Sequence, residues 1–414
     1  MATTVAMTPE VEPQEVGLDP ARLERLDRYL DGYVDNGRQI GSMIVITRGG
    51  KIAHVSQRGR RDAETGLPVE SDTIWRIYSM TKPITSVAAM MLYEEGALAL
   101  TDPVAKFIPS FGDVRVYRKG AAAAPVTAPA AETMTVWHLL THTAGLTYSF
   151  QFAHPVDEAY RLAGFLPDLR GEYDLAEACD RWASLPLLFE PGAEWNYSHA
   201  TDVVGRIIEV VSGQSLDEFF AQRILTPLGM PDTGFTVAEA DRGRLAALYF
   251  HDPETAKAVP SPMPDPVTAE RPRFLAGGHG LVSTAGDYHR FTQMLLRRGE
   301  LDGVRLLAPR TVDLMTRNHL PGNATLTRFG RPLLDLVIND GYGFGLGLSP
   351  LVDPIEAKTL SAVGEYRWEG AAGTAFLVDP ADELTVLFFT QALFAPDDLT
   401  VALRRLVYQA LVGS

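Results

Sequence analysis

Ile74-Trp75-Arg76-Ile77-Tyr78-Ser79-Met80-Thr81-Lys82-Pro83-Ile84-Thr85-Ser86-Val87-Ala88-Ala89-Met90-Met91-Leu92-Tyr93-Glu94-Glu95 is the stretch on which the fold turns. Its first five residues have β character. The run from Ser79 has helical character and ends near Gly96. A helix that starts at Ser79 puts Ser79 and Lys82 on one face, three positions apart. Pro83 fits there, because the first helical turn has few intrahelical N–H bonds to lose. A hydroxyl beside an amine at a helix N-terminus can serve as a nucleophile and its base. The chain has only six lysines, at 51, 82, 106, 119, 257 and 358, and only Lys82 has a serine three residues before it.

Working outward, Asp19 is a plausible cap for an amphipathic helix over 20–36, with Leu23, Leu26, Leu30 and Val34 on its stripe. Two strands, 42–47 and 51–56, flank the hairpin signal Gly49-Gly50. Residues 119–131, rich in alanine with Pro125 and Pro129, read as a surface loop. A short helix runs from 135 to 141 with Thr135 as its cap, and 150–190 reads as mostly helical. Further helices cover 201–212, closed by Gly213, 216–224, stopped by Pro227, and 285–298, capped by Thr284.

From Gly341 the pattern returns to strands. Gly341, Gly343, Gly345 and Gly347 alternate with larger residues, and runs at 362–369, 373–379 and 384–391 precede a terminal amphipathic helix over 397–412. Strands at both ends and helices between them predict an α/β protein of α+β type. It has a mainly antiparallel sheet flanked by helices and an inserted helical domain. The division is a 1–18 extension, a sheet domain from 19–110 and 335–414, and a helix-rich insertion over 111–334. The active site lies in the cleft between the two domains.

Of 414 residues, 46% are hydrophobic and 21% charged, as in an ordinary globular protein. The net charge of −15 gives no electrostatic footprint for nucleic acid or anionic lipid. Cys179 stands alone, so no intrachain disulfide forms; it reads as a small buried residue. Met1–Val5 lack a basic region followed by an apolar one, and no apolar run is long enough to span a bilayer. The expected location is the cytoplasm.

Three other motifs carry possible chemistry. Tyr197, in a turn before the 201–212 helix, either shares a proton with Lys82 or packs as an aromatic at a helix start. His138 and His142 have metal-ligand spacing, but Leu139 stands where a zinc protease carries its glutamate, so no metal and no cofactor is expected. Trp368-Glu369-Gly370-Ala371-Ala372-Gly373 either presents backbone N–H groups to the cleft or forms a bulged strand.

In order along the chain, 79–82, 100–104, 139–146, 197–202, 224–233, 276–281 and 341–346 together resemble the serine β-lactamase-like superfamily. Within it they most resemble the family VIII carboxylesterases, of β-lactamase/DD-peptidase-like fold. The resemblance implies Ser79 as the acylated nucleophile and Lys82 with Tyr197 as the base system. It also implies an oxyanion hole from the N–H groups of Ser79 and Ala371. Two motifs depart from the lactamase pattern. His199 follows Tyr197-Ser198 where Tyr-x-Asn is usual, and Trp368-Glu369-Gly370 stands where Lys-Thr-Gly is usual. The missing lysine removes a cation that would face a lactam or peptide carboxylate. The expected activity is therefore hydrolysis of small-molecule carboxylic esters of short acyl chain, with Tyr148, Phe152, Trp368 and Gly370 at the substrate. The alternatives are a β-lactamase or D-amino-acid peptidase, an acyltransferase on the same machinery, and a catalytically dead scaffold. Oligomeric state is open.

Overall fold

The computed structural model describes residues 7–165, 173–263, 267–331, 340–395 and 398–413. Its central sheet contains β1 (Gly41–Arg48), β2 (Lys51–Gly59), β3 (Ser349–Pro350), β4 (Tyr366–Glu369), β5 (Ala375–Asp379) and β6 (Leu384–Phe389). Their spatial order is β3-β4-β5-β6-β1-β2, and each neighbouring pair is antiparallel. The first two strands therefore lie beside the last, and the sheet is built from both ends of the chain. The helices that frame the site are α1 (Pro20–Asp35), α2 (Thr81–Glu94), α3 (Val136–Leu140), α4 (Leu175–Ser184), α5 (Ala200–Ser212), α6 (Ala285–Leu296) and α7 (Asp398–Tyr408).

Alternation along the strands separates two cores. Ile44, Ile46, Leu377, Val386 and Phe388 face α1 and α7, joining Leu23, Leu26, Leu30 and Leu403. Met43, Val45, Phe376, Val378, Leu387 and Phe389 face the opposite way, into the large core shared with α2 and α6. A one-residue slip of register would exchange these faces. The register Met43↔Phe389 and Val45↔Leu387 holds both.

Local signals account for the boundaries. Asp19 Oδ1 accepts the Ala21 N–H at 2.8 Å, and Thr284 and Thr135 cap their helices likewise. Gly213 closes α5 at φ +70°. In four places the chain departs from expectation. Residues 119–131 are not simply a loop, because Arg115–Lys119 pairs with Val126–Pro129 as a small hairpin. The helix after Leu216 is not stopped by Pro227. It widens into a π turn over Ala221–Leu225 and continues to Leu228, where Gly229 ends it. The π turn spares Pro227 the clash that a regular helix would impose. Residues 341–347 are not a regular strand: Gly341 and Gly347 have φ near +80°, Tyr342 makes only an isolated bridge to Leu351, and it is Ser349–Pro350 that joins the sheet. The segment 150–190 holds α4 and a short helix, Pro155–Leu162, with irregular chain around them; residues 166–172 lie outside the described residues.

α6, although central in the sequence, rests on the sheet. Tyr288 packs on Phe376 with ring centroids 5.4 Å apart, and Gln293 donates to Thr385 Oγ1 at 3.0 Å. The Tyr288 hydroxyl also donates to the Met80 carbonyl at 2.9 Å, so α6 braces the turn that carries Ser79. Among the described residues no helix is long and apolar enough to cross a membrane.

Candidate active site

The stretch before Ser79 forms a short pair, Trp75–Arg76 with Val282–Ser283. The chain then tightens into a 3₁₀ turn over Tyr78–Met80, and α2 begins at Thr81, two residues later than the sequence suggests. Tyr78 takes φ +42°, an uncommon conformation for a side chain of its size, immediately before the candidate nucleophile. The turn is pinned from outside: Ile77 N–H donates to Leu281 O, and Leu281 N–H donates to Thr81 Oγ1, both at 3.1 Å.

Lys82 is fully buried in the first turn of α2. Its Nζ lies 3.2 Å from Ser79 Oγ and donates to the Gly278 carbonyl at 2.8 Å. Burial lowers its pKa from 10.5 to about 7, against an opposing pull from Asp202. Two tyrosine rings wall it in, Tyr197 at 4.4 Å and Tyr148 at 5.5 Å from the amine.

Tyr197 is delivered by the turn before α5. Asn196 anchors that turn to the 142–146 segment, donating to Leu146 O at 2.8 Å and taking its own N–H to His142 O at 2.9 Å. The Tyr197 hydroxyl is buried and has no hydrogen bond of good geometry among the described residues. Burial pushes its pKa above the ordinary tyrosine range, and the Ser79 hydroxyl and Trp368 indole only partly offset that. Its ring sits 5.5 Å from Trp368 and 5.3 Å from Tyr148, and Tyr148 stacks on Phe150 at 4.8 Å.

β4 brings Trp368 to this cluster, and the turn that follows crosses the strand leading to Ser79. Gly370 is required there, because a Cβ would overlap the Ile77 carbonyl and Thr374 Oγ1. Gly370 N–H donates to Thr374 O and Gly373 N–H to Gly370 O, while among the described residues no hydrogen bond claims the N–H of Ala371, an exposed residue. Phe152 lies apart. It is 68% exposed at φ +51°, with the Arg161 guanidinium 4.3 Å over its ring.

His138 and His142 are engaged by the protein itself. His142 Nδ1 faces Ser198 Oγ at 3.2 Å and Nε2 faces Thr201 Oγ1 at 3.4 Å, while His138 Nδ1 bonds to Thr135. Among the described residues no group of three or more His, Cys, Asp or Glu side chains is placed to hold a metal. Cys179 is buried in α4. Sequence reasoning gave no role to Asp202, whose carboxylate accepts the Gly278 N–H at 2.8 Å. The signals were there: Asp202 lies one helical turn after His199, and Gly277-Gly278 marks a close backbone approach.

A strained turn carrying a serine, a buried lysine beside it, a tyrosine against that lysine and a tryptophan on the antiparallel sheet packed on the tyrosine mark a penicillin-recognising fold. The chain belongs to the Beta-lactamase family, whose profile matches residues 26–410. It is 32% identical to Esterase EstB of Burkholderia gladioli, an alignment that covers 96% of this chain and 98% of EstB. It is 28% identical to Lovastatin esterase of Penicillium rubens, with 92% and 96% covered. The solved structure of "EstCE1, a hydrolase with promiscuous acyltransferase activity" superposes with a TM-score of 0.78 at 27% identity, covering 97% of this chain and 99% of that one.

Proposed function

We propose that this protein is a serine carboxylesterase of family VIII type. The observation that carries the reading is the buried Lys82 amine, 3.2 Å from Ser79 Oγ and with its pKa lowered to about 7. An amine in that state can accept a proton at neutral pH. Ser79 Oγ attacks the ester carbonyl and its proton passes to Lys82 Nζ. The carbonyl oxygen becomes an oxyanion, held by the N–H groups of Ser79 and Ala371. Burial keeps Tyr197 protonated, so Tyr197 serves as the donor that hands a proton to the leaving alkoxide and is recharged from Lys82. The C–O bond breaks, the alcohol departs, and an acyl-Ser79 remains. Water then repeats the sequence in reverse and releases the acid.

The substrate follows from what lines the site. Tyr148, Phe150, Tyr197 and Trp368 offer apolar faces, and Trp368 stands where a lactamase would present a cation. This favours uncharged esters of short acyl chain, with Gly370 letting the β4 turn approach. An acyltransferase is the second reading. The same aromatic wall can dock an alcohol that competes with water, and EstCE1 is a hydrolase with promiscuous acyltransferase activity. We place the site in a cleft between the sheet domain and the helix-rich segment, and the protein in the cytoplasm. The test is a panel of p-nitrophenyl esters of graded chain length plus nitrocefin, with and without added alcohol. Turnover of short esters at least a hundredfold above nitrocefin supports the reading. Nitrocefin turnover equal to the best ester overturns it.

A further inference from the structure

Behind Lys82, on the side away from Ser79, runs a buried polar chain that the mechanism above leaves unused. Lys82 Nζ donates to the carbonyl of Gly278, and the N–H of Gly278 donates to Asp202 Oδ1, each at 2.8 Å. Asp202 Oδ2 lies 3.1 Å from His199 Nδ1. The His199 ring stacks on Trp182 with centroids 4.3 Å apart and planes 19° apart. Lys82, His199 and Asp202 are all fully buried.

The sequence builds this arrangement cheaply. His199 opens α5 and Asp202 follows three residues later, so both lie on one face. Gly277-Gly278 lets the loop come in: a Cβ at 278 would stand 2.9 Å from Asp202 Oδ2, and one at 277 would stand 3.1 Å from the Thr201 carbonyl. A buried carboxylate is costly unless paired and hydrogen-bonded. Burial pushes the Asp202 carboxyl up. The His199 hydrogen bond is the largest opposing cause, the nearby Lys82 amine adds to it, and the carboxyl ends below the usual carboxylate range.

The groups around Lys82 come from three places. The start of α5 brings Tyr197, His199 and Asp202; the segment after α3 brings His142 and Tyr148; the 276–281 loop brings His279, whose Nδ1 is 4.0 Å from Asp202 Oδ1. Burial holds all three histidines towards their neutral forms and raises both tyrosines. Among the described residues, Asp202 is therefore the charged group that acts on Lys82.

We propose that Asp202 is a positioning residue for Lys82: it fixes the Gly278 carbonyl that receives the amine, and its charge keeps the amine basic enough to take the Ser79 proton. The inference rests on the reading of Lys82 as the base. Without Asp202, burial acts unopposed, and an amine that is too weak a base gains little from deprotonating early.

The test compares wild type, Asp202→Asn, His199→Asn and His199→Phe on p-nitrophenyl butyrate from pH 5 to 9 by pH-stat, with thermal unfolding followed at each pH. In Asp202→Asn the acid limb of kcat moves down by about 0.5–1 pH unit. Its plateau kcat falls about tenfold, with KM within about twofold of wild type. His199→Asn keeps a donor to Asp202 and leaves the limb in place. His199→Phe removes the donor, weakens the carboxylate's charge and moves the limb in the same direction by less. If Asp202→Asn does not fold, His199→Phe against His199→Asn still decides. A limb that stays put or moves up, with only the melting temperature lowered, overturns the proposal and leaves Asp202 a structural role. A wild type that turns over the ester without an acid limb near pH 7 overturns instead the reading of Lys82 as base, and this inference with it.

Discussion

The displacement of Lys82 from 10.5 to about 7 can be tested through the rate itself. At 1.36 kcal/mol per tenfold change, it amounts to about 5 kcal/mol of environment set against the charged form. The consequence at pH 7 is large. An ordinary lysine would be neutral in about one molecule in three thousand, whereas Lys82 is neutral in about half, a gain of about a thousandfold in available base. Its direction is fixed by the sign of the shift. Below the folded value the amine is protonated and inactive as a base, so kcat/KM for p-nitrophenyl butyrate falls about tenfold per pH unit below pH 7. Above it the rate levels off. Lys82→Arg retains a cation that cannot be deprotonated and loses at least about a thousandfold at every pH. The assay is a pH-stat titration of released acid from pH 5 to 9, with folding checked by circular dichroism. A wild-type profile that is flat across this range, or that is still rising about tenfold per unit at pH 9, refutes the assignment of the proton to Lys82.

Three other outcomes follow from particular contacts. Gly370→Ala drives a methyl into the Ile77 carbonyl and moves the turn bearing Ala371; kcat should fall about a hundredfold with KM little changed, and kcat within threefold of wild type would remove that turn from the oxyanion site. Trp368→Phe keeps the aromatic face against Tyr197 and Phe344 but loses the indole N–H near the Tyr197 hydroxyl; steady-state kinetics should show a fall in kcat of about 3–10-fold with folding intact. Asp287 is raised from 3.8 to about 7 by burial. Because its folded value lies above the unfolded one, its charge destabilises the native state increasingly from about pH 4 to 7 and fully beyond. Asp287→Asn, which keeps an acceptor for the Asp232 N–H and Thr233 hydroxyl, should gain about 1–2 kcal/mol at pH 8 and nothing at pH 4 by urea unfolding.

Much of the fold was legible because its signals are local. The Asp19 and Thr284 caps, the Gly49-Gly50 hairpin and the apolar stripe of α1 each state their structure within a few residues. The elements misjudged are those decided by distant contacts. Gly341, Gly343, Gly345 and Gly347 look like a strand by alternation. In the fold their glycines answer to Asp353, Asn318, the Met315 carbonyl and Ser86, which the sequence does not place beside them. Pro227 reads as a stop because the π turn that accommodates it is not visible in the pattern. At the site, Ser79 and Lys82 could be paired from spacing alone, but bringing Tyr197, Tyr148 and Trp368 to the same amine required the whole topology. Asp202 was harder to assign, because its partner is a backbone N–H 76 residues away and only the spacing from His199 and the Gly277-Gly278 pair hint at the approach.

The central claim is that Ser79 is acylated. Mixing the protein with p-nitrophenyl butyrate, quenching in acid within a turnover and mapping the peptides by mass spectrometry tests it directly. The account predicts a butyryl adduct on the peptide containing Ser79, absent from Ser79→Ala, which also has no turnover. Unchanged turnover in Ser79→Ala, or an adduct on any other residue, would contradict it.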